Sequence, residues 1–195
     1  MRHLAASHVR KSEIGLILDW LLHEALDRTQ ADLANVRLID WHTGFLEIRA
    51  QSGFTDEFLT LFARVSMAGR SACARALRRR EPVVIEDIMA DSEFESCRDV
   101  VRRQGIRAVQ SVPMISNSGI LIGIASAHFA RPHRPASAEL HDLKNAARLA
   151  ANAIVGLRAL QAAPIATSLD TIVRSRNLLW HADELLSRIT SGEDR

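Results

Sequence analysis

Residues 105–129 read GIRAVQSVPMISNSGILIGIASAHF. Two β-rich runs lie in this stretch, Ile106–Ile115 and Ile120–Phe129, with Asn117-Ser118-Gly119 between them. Asn, Ser and Gly form turns because they accept or stabilise backbone conformations that interrupt a strand. The second run is almost wholly apolar and small, which predicts a central strand of a sheet. Runs joined by so short a turn pair antiparallel. In the first run Val109, Ser111 and Pro113 share one face, and Ala108, Gln110 and Val112 share the other. In the second, Ser126 and His128 share a face, a polar pair on an otherwise apolar strand.

The patterns upstream alternate between helix and strand. Glu93–Gln104 predicts a helix that Gly105 closes. Pro82–Ile88 reads as a short strand, and Ser71–Arg80 as an Ala/Arg helix that stops ahead of Pro82. Phe58, Leu59, Leu61 and Phe62 predict a helix over Phe54–Val65. Leu33, Val36, Leu38 and Ile39 form a strand, Asp40-Trp41-His42-Thr43-Gly44 a turn, and Phe45, Leu46 and Ile48 the returning strand of a hairpin. Before it, Ile14, Ile17, Leu18, Leu21, Leu22, Ala25 and Leu26 make one stripe at helical spacing, with Ser12 as N-cap.

Downstream, Pro132 and Pro135 break the chain and Ser137 caps a long helix. Its apolar positions Leu140, Leu143, Ala147, Ala150, Ile154 and Leu157 follow heptad spacing, which calls for a helical partner in the same chain or in a second one. Ala162-Ala163-Pro164 is a break before a last helix over Leu169–Ile189, opened by the capping-box pattern Thr167-x-x-Asp170. The expected organisation is a tail over 1–12, a domain over 13–160 and a helical extension over 161–195. Helices at the ends and in the middle, around strands that pair with their sequence neighbours, define an α+β domain with an antiparallel sheet.

Composition narrows the function. The 195 residues suffice for one domain with helical extensions. Hydrophobic residues make up 47% and charged residues 25%, as in an ordinary globular protein. A net charge of +2 demands no polyanionic partner, and Arg78-Arg79-Arg80 is too short for a nucleic-acid stripe. No apolar run approaches the roughly 20 residues of a membrane span, and Met1–Lys11 has neither the apolar core nor the cleavage site of a signal peptide. Two cysteines make no disulfide framework. A cytoplasmic location is expected.

The order of short motifs is similar to that of GAF domains. It runs from Gly69-Arg70-Ser71 through Pro82-Val83-Val84-Ile85-Glu86-Asp87-Ile88, Asp91 and Phe94. It continues through Gly105-Ile106-Arg107-Ala108-Val109-Gln110-Ser111-Val112-Pro113-Met114 to Gly119 and Ile122-Gly123-Ile124, over roughly residues 13–158. The segment Ala130–Pro135 followed by Ser137-Ala138-Glu139-Leu140 resembles GAF domains attached to proteobacterial sensor kinases. The resemblance implies a five- or six-stranded antiparallel sheet. One face packs on the terminal helices, and loops and short helices cover a ligand pocket on the other. It also implies homodimerisation through the first and last helices, and a histidine kinase or other signalling protein as partner.

The expected function is small-molecule sensing by a regulatory domain, without catalysis, resident cofactor or metal. The candidate ligand-binding residues are His128, Ser111 and Ser126 on the strands, with Asp87, Phe94 and Cys97 from the covering segment. In the similar stretch of phytochrome GAF domains a histidine at the place of His128 and a serine at the place of Ser111 contact a bilin, but this chain has no cysteine-histidine attachment pair. The cyclic-nucleotide signature NKFDE is absent as well.

A third branch reduces free methionine sulfoxide. Gly69-Arg70-Ser71-Ala72-Cys73 resembles one of its cysteine segments, and Cys97 follows 24 residues after Cys73 at a similar spacing. Arg98 and Arg102 could favour a thiolate there. The branch's further upstream cysteine is missing, and so are its acidic residues, near Val109 and Ala127. A ligand-free dimerisation scaffold and a thiol-based sensor or reductase stand as the alternatives.

Overall fold

The computed structural model describes residues 12–161, with 95–97 described for the backbone alone. The tail before residue 12 and the helix expected over Leu169–Ile189 lie outside the described residues. The compact unit extends through Val155, and the helix over 137–161, here α5, continues past that point.

Six strands form one antiparallel sheet: β1 (Leu33–Asp40), β2 (Phe45–Ser52), β3 (Arg64–Ser66), β4 (Val83–Ile85), β5 (Ala108–Ile115) and β6 (Leu121–Phe129). Their order is β3-β2-β1-β6-β5-β4, which puts β1 and β6 at the centre. The small, apolar β6 therefore holds the position its composition predicts. The turn after β5 closes on Gly119, whose φ of +80° lies in the left-handed region open to glycine.

One face of the sheet packs on two helices. α1 (Glu13–Thr29) starts where Ser12 Oγ accepts the Gly15 amide, and it ends on Gln30 in the left-handed conformation. Its Leu18, Leu21, Leu22 and Ala25 join Leu143, Ala147, Ala150 and Ile154 of α5, and both meet Ala34, Val36, Ala108, Val112, Ala125 and Ala127 of the sheet. The heptad seam of α5 thus finds its partner within the domain: Leu143, Ala147 and Ile154 are completely buried there. Leu16, Trp20 and Leu149 stay exposed on the outer side of these two helices.

The other face is covered by a lid drawn from residues 54–106. The helix predicted over Phe54–Val65 is shorter. α2 (Asp56–Phe62) opens on Thr55, and the chain then turns into β3. Val65, a β-branched residue suited to a strand, pairs with Leu46 of β2. α3 (Ala72–Arg79) is capped by Ser71 and ends on left-handed Arg80, ahead of Pro82 as expected.

The single helix predicted over Glu93–Gln104 is instead a 3-10 turn (Ser92–Cys97) followed by α4 (Arg98–Arg103). Asp91 explains the break. Its carboxylate accepts the Glu93 amide and holds the tight turn, while its carbonyl accepts from Arg98 Nη2 at 2.9 Å. Gly105, at φ +80°, ends α4 as predicted. The two ends of the lid are tied together, since Gln104 Oε1 accepts from both the amide and the hydroxyl of Thr55.

Candidate functional site

A cavity of about 50 Å³ lies between the lid and the sheet. Its floor follows from strand alternation. On β1, Asn35 and Arg37 point toward the lid, while Ala34, Val36 and Leu38 pack with the terminal helices. Register then builds a polar row across three strands, because Asn35 lies opposite Ser126 and Ser126 opposite Ser111. Ser111 Oγ and Ser126 Oγ are 2.8 Å apart. His128, one step along β6 on the same face, brings Nε2 to 3.1 Å from Asn35 Nδ2.

Arg37 extends this floor from the middle of the sheet. Its position depends on Gly123: β1 and β6 approach so closely that a side chain at 123 would collide with the Arg37 carbonyl. Arg37 is 3% exposed. It makes one long contact, from Nη1 to the Leu46 carbonyl at 3.5 Å, and has no ion-pair partner among the described residues. Burial lowers the guanidinium pKa from its ordinary value, and Cys73 is the titratable group that acts to keep it charged. Burial also pushes the His128 pKa down from 6.5 to about 3, with the Arg37 charge adding to the effect. The ring is therefore neutral near pH 7, and a neutral ring nitrogen can accept from the Asn35 amide.

The roof is apolar and aromatic. Phe58 and Phe62 of α2 line it with Phe94, Val101 and Ile106. Phe54 meets the His128 ring edge-on at 5.1 Å between centroids. The start of α3 supplies Ser71, Ala72 and Cys73 to the wall. Cys73 is a buried free thiol 3.1 Å from Ser71 Oγ. Buried Arg75 holds α3 against the segment carrying Phe94, through Asp91 at 3.0 Å and Glu93 at 3.1 Å.

Of the residues singled out in the sequence, Ser111, Ser126, His128 and Phe94 converge on this cavity. Asp87 does not line it. Its carboxylate is held by Arg107 Nη2 at 2.7 Å and by the Met89 amide, and these partners keep its pKa below the ordinary carboxylate value. A carboxylate already occupied by a guanidinium in this way fixes the loop after β4. The side chain of Cys97 lies outside the described residues. Asn35 and Arg37 are masked in the sequence by the apolar content of β1. Two polar residues at i and i+2, between Leu33 and Ile39 on the same face, were the available signal.

The GAF domain family model matches residues 13–154. Among curated proteins, the chain is similar to the methyl sulfide methyltransferase-associated sensor of Methanosarcina acetivorans. They are 29% identical over 80 residues, which is 41% of this chain and 8% of that protein, so the chain spans a small fraction of its relative's length. Among solved structures it resembles a domain of a protein assigned as a two-component sensor histidine kinase from Sinorhizobium meliloti 1021. That match has a TM-score of 0.67 at 21% identity and covers 79% of this chain and 99% of that one. The GAF domain of a phosphoenolpyruvate-protein phosphotransferase from Coxiella burnetii gives a TM-score of 0.66 at 17% identity, covering 78% and 89%. The blue-light absorbing form of the PixJ GAF domain from Thermosynechococcus elongatus gives 0.61 at 18% identity, covering 84% and 96%. At these identities the structures share the fold, and the family model takes in nearly three quarters of the sequence. The chain belongs to the GAF domain family.

Proposed function

We propose that this GAF domain is a cytoplasmic small-molecule sensor whose ligand lies between lid and sheet and biases the geometry of the terminal helices. GAF domains are typically sensory or regulatory modules of signalling proteins. The observation that carries the reading is the unsatisfied polarity of the cavity floor. Among the described residues, buried Arg37 has no ion-pair partner and buried Asn35 Oδ1 has no hydrogen-bond partner. Groups left so cost a few kcal/mol each in a sealed core, and a ligand that pairs with them removes that cost.

The path to the helices is short. Residues adjacent on one strand face opposite ways, so a shift at Ser126 or Ser111 is felt by Ala125, Ala127 and Val112, which touch α1 and α5. The lid, tied at both ends by Thr55 and Gln104, can order as one piece. A ligand moves this equilibrium only by its difference in affinity for the two arrangements. The output would pass through the exposed side of α1 and α5, where Leu16, Trp20 and Leu149 offer apolar surface to a second copy or to a kinase-type partner. In this reading the domain regulates and does not catalyse.

One observation favours the ligand-free scaffold. A volume of about 50 Å³ is far below the roughly 300 Å³ at which drug-sized pockets begin. The two readings part on thermal shift with a metabolite panel, run on the wild type and on His128→Ala. The sensor requires at least one compound that raises the wild-type melting temperature and does so less in the variant. A panel with no stabilising compound leaves the scaffold.

A further inference from the structure

The charge of the cavity says more than its shape. Among the described lining residues the Arg37 guanidinium is the one formal charge, and none of them is a carboxylate. A buried guanidinium is stable when a planar acceptor faces its fork of donors. Here the side chain reaches a single carbonyl at 3.5 Å. A second source of positive potential converges on the same space. α3 starts at Ser71 on the cavity wall, and its hydroxyl satisfies the Ala74 amide. The amides of Ala72 and Cys73 are left without an intrahelical acceptor, and the helix dipole adds to their effect. The rest of the lid side of the cavity is carbon, from Phe58, Phe62 and Phe94.

The geometry points to a small carboxylate as the ligand of this cavity, its charge held by Arg37 and its short apolar body under the aromatic roof. This rests on the sensing reading above and assigns it a chemical class. The carbon-lined roof is the reason to choose a carboxylate over an inorganic oxoanion, since nitrate or bicarbonate would turn oxygen toward the phenyl rings. Volume sets the size. At about 10–15 Å³ for each water-sized position, a cavity of about 50 Å³ holds a molecule on the scale of acetate.

The test is thermal shift and calorimetric titration of the full chain at constant ionic strength, in a buffer free of other carboxylates. The probes are acetate, its neutral isostere acetamide, and nitrate. Acetate is expected to stabilise and bind the wild type, with acetamide and nitrate each weaker by about tenfold or more. Arg37→Met is expected to lose the acetate response while its unliganded melting temperature stays at or above that of the wild type, because the substitution removes an uncompensated buried charge. An acetate response retained in folded Arg37→Met would overturn the inference. If Arg37→Met does not fold, the acetate–acetamide comparison on the wild type decides alone.

Equal binding of acetate and acetamide, or a preference for nitrate, overturns the carboxylate assignment. If the probes fail while a neutral metabolite from the panel stabilises the protein, the anion inference falls and the sensor stands. If probes and panel both fail, both fall.

Discussion

Along β6, Ala125 and Ala127 turn to the terminal helices while Ser126 and His128 turn to the lid; along β1, Ala34 and Val36 turn one way and Asn35 and Arg37 the other. The helix-side core is mainly apolar, and the sheet residues in it are mostly small. The lid-side core places a guanidinium, an imidazole, an amide and two hydroxyls among phenylalanines. One departure occurs on the helix side, where buried Gln110 donates to Glu139, which also contacts His133 at 2.8 Å, while Gln110 Oε1 has no hydrogen-bond partner among the described residues. That cluster sits at the start of α5, beyond the closely packed centre. The contrast separates two tasks on one set of strands. In the proposed reading, stability comes mainly from the face that is nearly free of polar groups, and the ligand would bind on the face that concentrates them.

The largest consequence of this division concerns Leu21. Its side chain is fully buried among α5 and sheet residues on the helix side. Leu21→Ala should cost about 3 kcal/mol through lost transfer energy and the cavity left behind. Urea unfolding measures the cost, and the response to any cavity ligand should be unchanged in the folded variant. A cost below about 1 kcal/mol would mean that the helix side does not dominate stability.

The next consequence, pH dependence, comes from the lid side. His128 has a folded pKa near 3 against 6.5 for the free group. The unfolded chain therefore binds a proton below pH 6.5 that the folded chain refuses until about pH 3. Stability falls as pH falls through this window, by about 2 kcal/mol between pH 7 and pH 5. The depressed pKa values of Asp40 and Asp87 add their own losses only below their ordinary value of 3.8. Urea midpoints at pH 7 and pH 5, compared between the wild type and His128→Asn, isolate the imidazole. An unchanged slope in the variant would assign the pH dependence elsewhere.

How far the sequence could be read follows the same division. The helix side was open to it, because the stripe from Ile14 to Leu26 and the heptad positions of α5 are apolar periodicities that name the packed face of each helix, although the heptad left open whether the partner lay in this chain or in a second one. On the lid side, β5 and β6 announced Ser111, Ser126 and His128 as polar interruptions of apolar runs. Arg37 was hidden, because a charged residue in a short strand ordinarily faces solvent, and its backbone lies against Gly123, the residue opposite Leu38 across the sheet. Asp87 was misplaced for the opposite reason. It lies in the covering segment, but its direction is set by Arg107, 20 residues away in sequence. The break in the helix expected over Glu93–Gln104 depends on Asp91 capping from outside that segment. Periodicity records the faces of regular elements, and it does not record side-chain pairings between distant loops.

The smallest effect belongs to the hydroxyl pair in the floor, and its sign pattern is informative. Ser111 and Ser126 are 1% and 2% exposed, and their hydroxyls contact each other at 2.8 Å. Ser111→Ala leaves the Ser126 hydroxyl with no partner in a buried site, which should cost about 1 kcal/mol, and Ser126→Ala should cost the same by symmetry. Removing both leaves no orphan, and the added apolar surface offsets the lost hydrogen bond, so the double variant should lie within about 0.5 kcal/mol of the wild type. Urea unfolding of the four proteins gives the coupling directly. Additive losses would mean that water already satisfies each hydroxyl, and the lid-side floor would then be wetter than its burial implies. A near-neutral double variant with a weakened ligand response would show that the polar floor is kept for binding, because its contribution to stability would have been replaced by two methyl groups.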